Sequence, residues 1–428
     1  MLRVVLVVAG LAGLLLPTRA GARNTVVGGG RASVAYVYSG KQGSNIWAEP
    51  SAHDARFEVA GLFGHQYARP SFESANAVFA GAILAANNAD FRAPVARVHS
   101  AQTWRVLRRL QLAGTLFAEL EPLSIGEAGV AIPGSLTTNL SLVLDPTVEA
   151  LARLAEHDAL LLRLGTHLFA WFRDRATITD NDVWVSAGTH LTAEWEHSFN
   201  EAHEGSVRAL ARVMDVGVGY RPATPNRKAS VPPTSVLVGA MAGYRYSRRE
   251  RFSLAARAGV GRVLNQPDGP LWPVEPLVEL EASWANRLDA LHLMASSTIQ
   301  ENNYVGGFPE RIVQLRGRWV RQAGNSPWRG FAEAAYELSR FGTHYFAAGE
   351  ANTLHALRLR GQLIYAVSRG WRVFGGLAAS VGVQNLSRPD ICGTPECPRN
   401  GVWLSGLAGA AYIFTPRPTD ERLIAEVW

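Results

Sequence analysis

The chain has 428 residues, 47% of them hydrophobic and 18% charged, with a mean hydropathy near zero, a net charge of +6 and a pI near 9.5. That balance excludes a disordered chain, and no stretch after the N-terminus reaches the roughly 18 apolar residues of a spanning helix. Lys and Arg are spread along the chain rather than clustered, so the small basic excess does not point to nucleic acid.

The first segment sets the compartment. Met1-Leu2-Arg3 is a short basic start, residues 4–16 are an unbroken run of apolar and Gly residues, and Ala20-Gly21-Ala22 offers a small-residue cleavage site. This is the pattern of a secretory signal peptide over 1–22. The mature chain is expected to begin near Arg23, outside the cytoplasm.

Period-two alternation then predicts strand after strand. In the N-terminal half the strands are 32–39, 56–67, 75–86, 103–120, 135–144 and 183–197. Segment 103–120 puts Trp104, Val106, Leu110, Leu112, Leu116 and Leu120 on one face. Segment 183–197 turns Val185, Ala187, Leu191, Ala193 and Trp195 outward and Ser186, His190, Thr192, Glu194 and Glu196 inward. Residues 145–158 carry two competing signals. Asp145-Pro146 resembles a helix start, yet Val148, Ala150, Ala152 and Leu154 alternate, and 160–172 follows across a short polar turn. We take the strand hairpin.

The C-terminal half alternates more cleanly, over 235–247, 251–262, 277–285, 290–300, 311–322, 328–339, 353–367, 371–384 and 402–414. Connectors 248–250, 286–289, 324–327 and 368–370 are short and polar. Between them lie longer polar stretches, 265–273, 301–310 and 386–400. Short turns at one end and long loops at the other are the habit of outer-membrane barrels.

The second face of the same strands decides the solvent. Arg245, Arg257, Glu279, Glu281, Arg316, Arg318, Arg329, Glu333, Glu337, Arg358, Arg360 and Arg372 all fall opposite the apolar row. A soluble barrel would turn its apolar face in and its charges out. Here both strand length and charge demand the reverse: lipid outside and a water-filled lumen lined by these charges. Trp284, Trp319, Trp328, Tyr336, Tyr365, Trp371, Tyr412 and Phe414 are expected in interfacial girdles.

The expected fold is therefore all-β, a transmembrane antiparallel up-and-down barrel of about 16–18 strands over residues 23–414, wide enough for an aqueous channel. Residues 415–428 contain two prolines and the charges Arg417, Asp420, Glu421, Arg422 and Glu426, so Phe414 is taken as the end of the last strand and 415–428 as a periplasmic tail; the alternative is that 422–428 itself closes the barrel. Cys392 and Cys397 enclose a polar four-residue loop and suit a local disulfide, with free thiols as the alternative.

In this organisation the chain resembles Gram-negative outer-membrane β-barrel proteins as a class, in particular large porin-like or polysaccharide-export-like barrels. The resemblance rests on pattern over almost the whole mature chain, with no family motif behind it. It implies the outer membrane as location, outer-membrane lipid and the barrel-assembly machinery as partners, a periplasmic export or envelope-spanning partner for the tail, and no nucleic acid.

No zinc-protease, nucleophile-elbow or phosphate-loop motif occurs. Inward His167, His190 and His292 lie near acids, but a polar lumen collects such residues without catalysis, so no enzyme, metal or cofactor is expected. The lumen is the better clue. Arg316, Arg318, Arg358, Arg360 and Arg372 suggest a ladder for anionic solutes or a polar polymer such as polysaccharide. The alternatives are a salt-bridged stiff wall and a non-conducting scaffold for a motility or adhesion complex.

Overall fold

The computed structural model describes residues 23–42, 52–86, 92–122, 140–172, 183–214, 235–248, 251–264, 274–301, 309–321, 326–341, 352–386 and 400–414. Residues 1–22, expected as a signal peptide, the segment with Cys392 and Cys397, expected as a disulfide, and residues 415–428, expected as a tail, lie outside the described residues.

Among the described residues eighteen strands follow one another in chain order. The first six are β1 (Arg23–Gln42), β2 (Ala52–Arg69), β3 (Phe72–Ala85), β4 (Arg92–Leu107), β5 (Leu110–Pro122) and β6 (Leu140–Arg153). Next come β7 (Asp158–Phe172), β8 (Val183–Ser198), β9 (His203–Met214), β10 (Ser235–Arg248), β11 (Phe252–Leu264) and β12 (Glu275–Ala285). The last six are β13 (Asp289–Glu301), β14 (Pro309–Arg321), β15 (Trp328–Phe341), β16 (Asn352–Ala366), β17 (Trp371–Leu386) and β18 (Asn400–Phe414).

Each strand pairs antiparallel with its sequence neighbour, and β18 pairs with β1 from Gly28 opposite Phe414 to Gln42 opposite Asn400. The wall is closed, so no row of backbone N–H and C=O groups is left open to lipid. Among the described residues the last paired residue of the closing strand is Phe414.

The two faces follow from register. Phe57 opposes Leu84, Leu315 opposes Tyr336, and Leu359 opposes Ala379 on the outside. Val59, Val260, Leu363 and Leu377 are each more than half exposed. Side chains of this kind in such numbers are stable only against acyl chains. This is a transmembrane barrel of the outer-membrane type.

One end carries the short turns and is the periplasmic end. Pro70-Ser71 and Arg108-Arg109 are two-residue turns. Asn200 and Asn286 fold two others: the Asn286 side-chain oxygen accepts from the N–H groups of Leu288 and Asp289 at 2.7 Å each, and Asn200 does the same for Ala202 and His203. Aromatic rings gather at this end. Trp328 stacks near Tyr365 (4.6 Å between centroids), Trp371 near Tyr412 (5.4 Å) and Phe72 near Trp104 (6.2 Å).

Three expectations are corrected, and one strand was not foreseen. Residues 103–120 are not one strand: β4 ends at Leu107 and β5 begins at Leu110. The alternation runs unbroken across this turn because Trp104 opposes Leu112, both outward, and no Gly, Pro or Asn marks the bend. The strand expected over 135–144 and the hairpin arm expected over 145–158 are not separate: β6 runs unbroken from Leu140 to Arg153 and pairs with β7. No expectation covered β9, whose outward row of Val207, Ala209, Ala211 and Val213 is short and small. Tyr336 is not in a girdle. It sits mid-strand between Leu315 and Leu357, and its hydroxyl lies 2.8 Å from His355 Nδ1.

Candidate functional site

The inward row of β8 to β12 holds a closed ring of four charges. Glu194 on β8 directly opposes Arg208 on β9, and Arg257 on β11 directly opposes Glu279 on β12. The pairs then cross. Arg208 Nε donates to Glu194 at 3.0 Å, and its Nη1 reaches across two strands to both Glu279 oxygens at 3.1 and 2.9 Å. Arg257 Nε donates to Glu194 Oε1 at 3.0 Å, and its Nη1 lies 3.5 Å from Glu279.

β10 makes the crossing possible. Its inward residue beside Arg257 is Gly243, where an added Cβ would lie 2.6 Å from Arg257 Cγ and 2.7 Å from Ser206 Oγ. Below the ring, Arg245 pairs with Glu204 at 3.3 Å.

A second cluster lies on β14 to β16. Glu333 accepts from Arg316 Nη2 at 2.6 Å and from Arg360 Nε at 2.9 Å. Glu337 lies 3.5 Å from Arg358. Arg318 has no carboxylate partner among the described residues. It lies over the ring of Phe331 at 5.6 Å, and Arg360 approaches the same ring at 5.8 Å. Four arginines here face two glutamates, so the cluster is net cationic.

All twelve residues expected to line the pore lie on the inward rows, but they do not form one site. Arg257 and Glu279 belong to the ring, and Arg245 to its neighbour pair. Arg316, Arg318, Glu333, Glu337, Arg358 and Arg360 form the second cluster. Glu281 and Arg329 sit on inward rows of β12 and β15, opposite Met294 and Ile364. Arg372 is only 5% exposed, and its guanidinium donates to the carbonyls of Ser368 (2.6 Å), Trp371 (2.9 Å) and Arg369 (3.3 Å). It fastens the β16–β17 turn and does not present a charge to the lumen, so it leaves the arginine ladder.

Several inward residues were not singled out from the sequence. Arg31 and Glu58 pair at 3.2 Å, Arg97 pairs with Glu119, and Arg163 with Glu149. Arg31 also lies over the rings of Phe79 and Phe374. Two inward histidines that the sequence did single out are also placed: His167 pairs with Asp145, and the His190 ring fills the space above Gly165. Arg208 was missed because its strand was missed. The others share an alternation signal that marks a face and names no partner.

Two apolar patches interrupt the polar lining. Val27, Leu62, Phe79 and Ile413 face inward from β1, β2, β3 and β18, yet none is more than 4% exposed. Met214, Leu237 and Val263 form the second patch near the loop end. Ile299 joins it from the outward parity of β13, with its carbonyl accepting from Arg212.

No family model matches the chain, and no curated relative does. Solved structures match over nearly its whole length. OpdQ of Pseudomonas aeruginosa is 8% identical over 92% of this chain and 98% of its own, with a TM-score of 0.40. OpdK of the same organism is 10% identical over 91% and 99%, with a TM-score of 0.41. The FrpB iron transporter of Neisseria meningitidis is 5% identical over 90% and 81%, with a TM-score of 0.42. At these identities the likeness is one of barrel architecture and says nothing of what crosses this wall.

Proposed function

We propose that the protein is a channel that passes polar solutes across the outer membrane and favours anionic ones, with acidic saccharides or an exported acidic polysaccharide as the class that suits its wall. The observation that carries this reading is the way charge is layered on β14–β16. Arg316 and Arg360 keep 36% and 48% of their side-chain surface in contact with water, whereas Glu333 beneath them keeps 9%. A solute therefore meets guanidinium groups first. Exposed guanidinium forks bind carboxylates in pairs, and the flanked Phe331 ring offers a stacking surface to a sugar.

The test is conduction by purified protein in a planar bilayer, with reversal potentials measured across a salt gradient. Anion preference, and block by an acidic sugar at lower concentration than by its neutral counterpart, support the reading. A folded barrel that carries no current would overturn it in favour of a scaffold.

A further inference from the structure

The outer face of β1–β4 does not look like the rest of the lipid-facing wall. One rung of outward residues there reads Val26, His65, Asn76, Ser100 and Leu116 across five neighbouring strands. The next rung toward the turns holds Asn24, Tyr67, Ser74 and Gln102. Some of these side chains are hydrogen-bonded in two sets, and Tyr67 and Ser74 are buried beneath their neighbours. Asn24 Oδ1 lies 2.9 Å from His65 Nε2, Ser100 Oγ donates to Asn76 Oδ1 at 2.7 Å, and Asn76 Nδ2 donates to Ser74 Oγ at 2.9 Å.

This island lies on the membrane side of the aromatic rung formed by Phe72 and Trp104. Val26 and Leu116, at its two flanks, are 44% and 38% exposed, so it is set into an apolar surface. An amide carries two N–H donors and an oxygen with room for two hydrogen bonds. The bonds within the island leave part of that capacity at Asn24 and Asn76 unused, and acyl chains offer no partner.

A second, independent feature adjoins it. One rung reads Gly30, Gly61, Ala80 and Ala96, with Gly28 beside Phe63 on the rung between. Nothing inside this barrel requires those glycines. An added Cβ at Gly28 meets nothing within 4 Å, and at Gly30 and Gly61 it meets only one carbonyl oxygen at 3.8 and 3.9 Å. Bare backbone turned to lipid gives up dispersion contact without an internal reason, whereas small residues beside hydrogen-bonding ones are how walls approach closely inside a bilayer. The opposite face, on β11–β16, carries Leu254, Leu280, Leu293, Leu315, Leu357, Leu359 and Leu363 instead.

We infer that the outer face of β1–β4 is a docking surface for a second copy of this chain within the membrane. The island is neutral and carries donors and acceptors together, so it complements itself, and closed association of identical copies is the common solution for such a patch. The glycine and alanine rung is a shallow groove between the rungs of Phe63 and Val59, which are 45% and 64% exposed, and it gives the partner's side chains a place to seat.

The test uses full-length protein with Cys392 and Cys397 replaced by Ser. A single Ser100→Cys is placed on the island and, in a separate protein, Leu359→Cys on the leucine face. A long flexible bis-maleimide in native membranes should link Ser100→Cys into pairs roughly tenfold more than Leu359→Cys. The native chain in lipid nanodiscs should have the mass of more than one barrel. Gly30→Leu with Gly61→Leu should return it to one while heat-modifiable migration stays intact. A single-barrel mass for the native chain, equal linking at both faces, or a multimer indifferent to the two leucines would each overturn the inference, as would a different polypeptide or lipid alone occupying the face. None of these readouts depends on conduction.

Discussion

The two charge clusters of the lumen each bury a glutamate, Glu194 and Glu333, but turn opposite charges to water. In the β8–β12 ring the arginines are buried, Arg208 and Arg257 being 16% and 10% exposed, and Glu279 at 32% is the group that water touches. On β14–β16 the glutamates are buried and the arginines face water. The same residue types, drawn from adjacent stretches of one wall, serve different ends. The ring has matched charges, spans five strands and stiffens the wall from β8 to β12. The second cluster has an excess of cations and sets a potential.

The largest expected contrast is in stability. Glu194 is 4% exposed and holds both ring arginines, so Glu194→Ala leaves two guanidinium groups nearly buried and should cost about 3–5 kcal/mol. Glu333→Ala frees arginines that already contact water and should cost no more than about 1 kcal/mol. Urea unfolding in lipid vesicles measures both, and equal losses would erase the distinction between the clusters.

A charge placed on the wrong side of the second cluster comes next. Leu359 lies between Arg358 and Arg360 but points to lipid, so Leu359→Arg should cost about 2–4 kcal/mol if it lies at the midplane. Arg360→Leu on the lumen side should leave the barrel folded. Similar tolerance of the two would mean the faces had been exchanged.

Gly243→Ala probes the ring without removing a charge. The added methyl lies within 3 Å of both Arg257 and Ser206, so Arg257 must withdraw from Glu194, at an expected cost of about 1–3 kcal/mol. Gly317→Ala on β14, whose added carbon meets only the end of the Leu293 side chain at 3.2 Å, is the matched control and should be nearly silent.

The smallest effect in free energy is the one that reads function. Replacing Arg316, Arg318, Arg358 and Arg360 with Gln should shift permeability toward cations by roughly tenfold or less. Replacing Arg208 and Arg257 with Gln, in whatever fraction folds, should leave selectivity nearly unchanged. A selectivity shift from the ring alone would place the filter there instead.

Much of this was legible in the chain. Period two separates lipid from lumen at Leu359 and Arg360 with no structure at all, because a one-residue step reverses the face. Strand boundaries were less legible where the turn lacks a turn residue, as at Arg108-Arg109, and where the outward row is small, as on β9. Partners across several strands were not legible. Even with β9 recognised, alternation puts Arg208 and Glu279 on one face and no more; the curvature of the closed wall and the missing side chain at Gly243 bring them into contact. Arg372 shows the converse limit, since its place on the row was right and its use was decided by three turn carbonyls.

The pairing of β1 with β18 also has a consequence in time. One edge of β1 pairs with β2 at once, but the other meets β18, with Gly28 opposite Phe414, so the first strand made waits for the last. Every other strand pairs with a neighbour close in sequence and zips as a hairpin. The seam between the two ends must bridge the whole chain, and until it does the growing sheet has two open edges that any other strand can extend. Closure is thus the single long-range step in folding and the expected slow one. Changes confined to Val402–Phe414 should lengthen the life of the open sheet far more than equal changes within an early hairpin such as β2–β3.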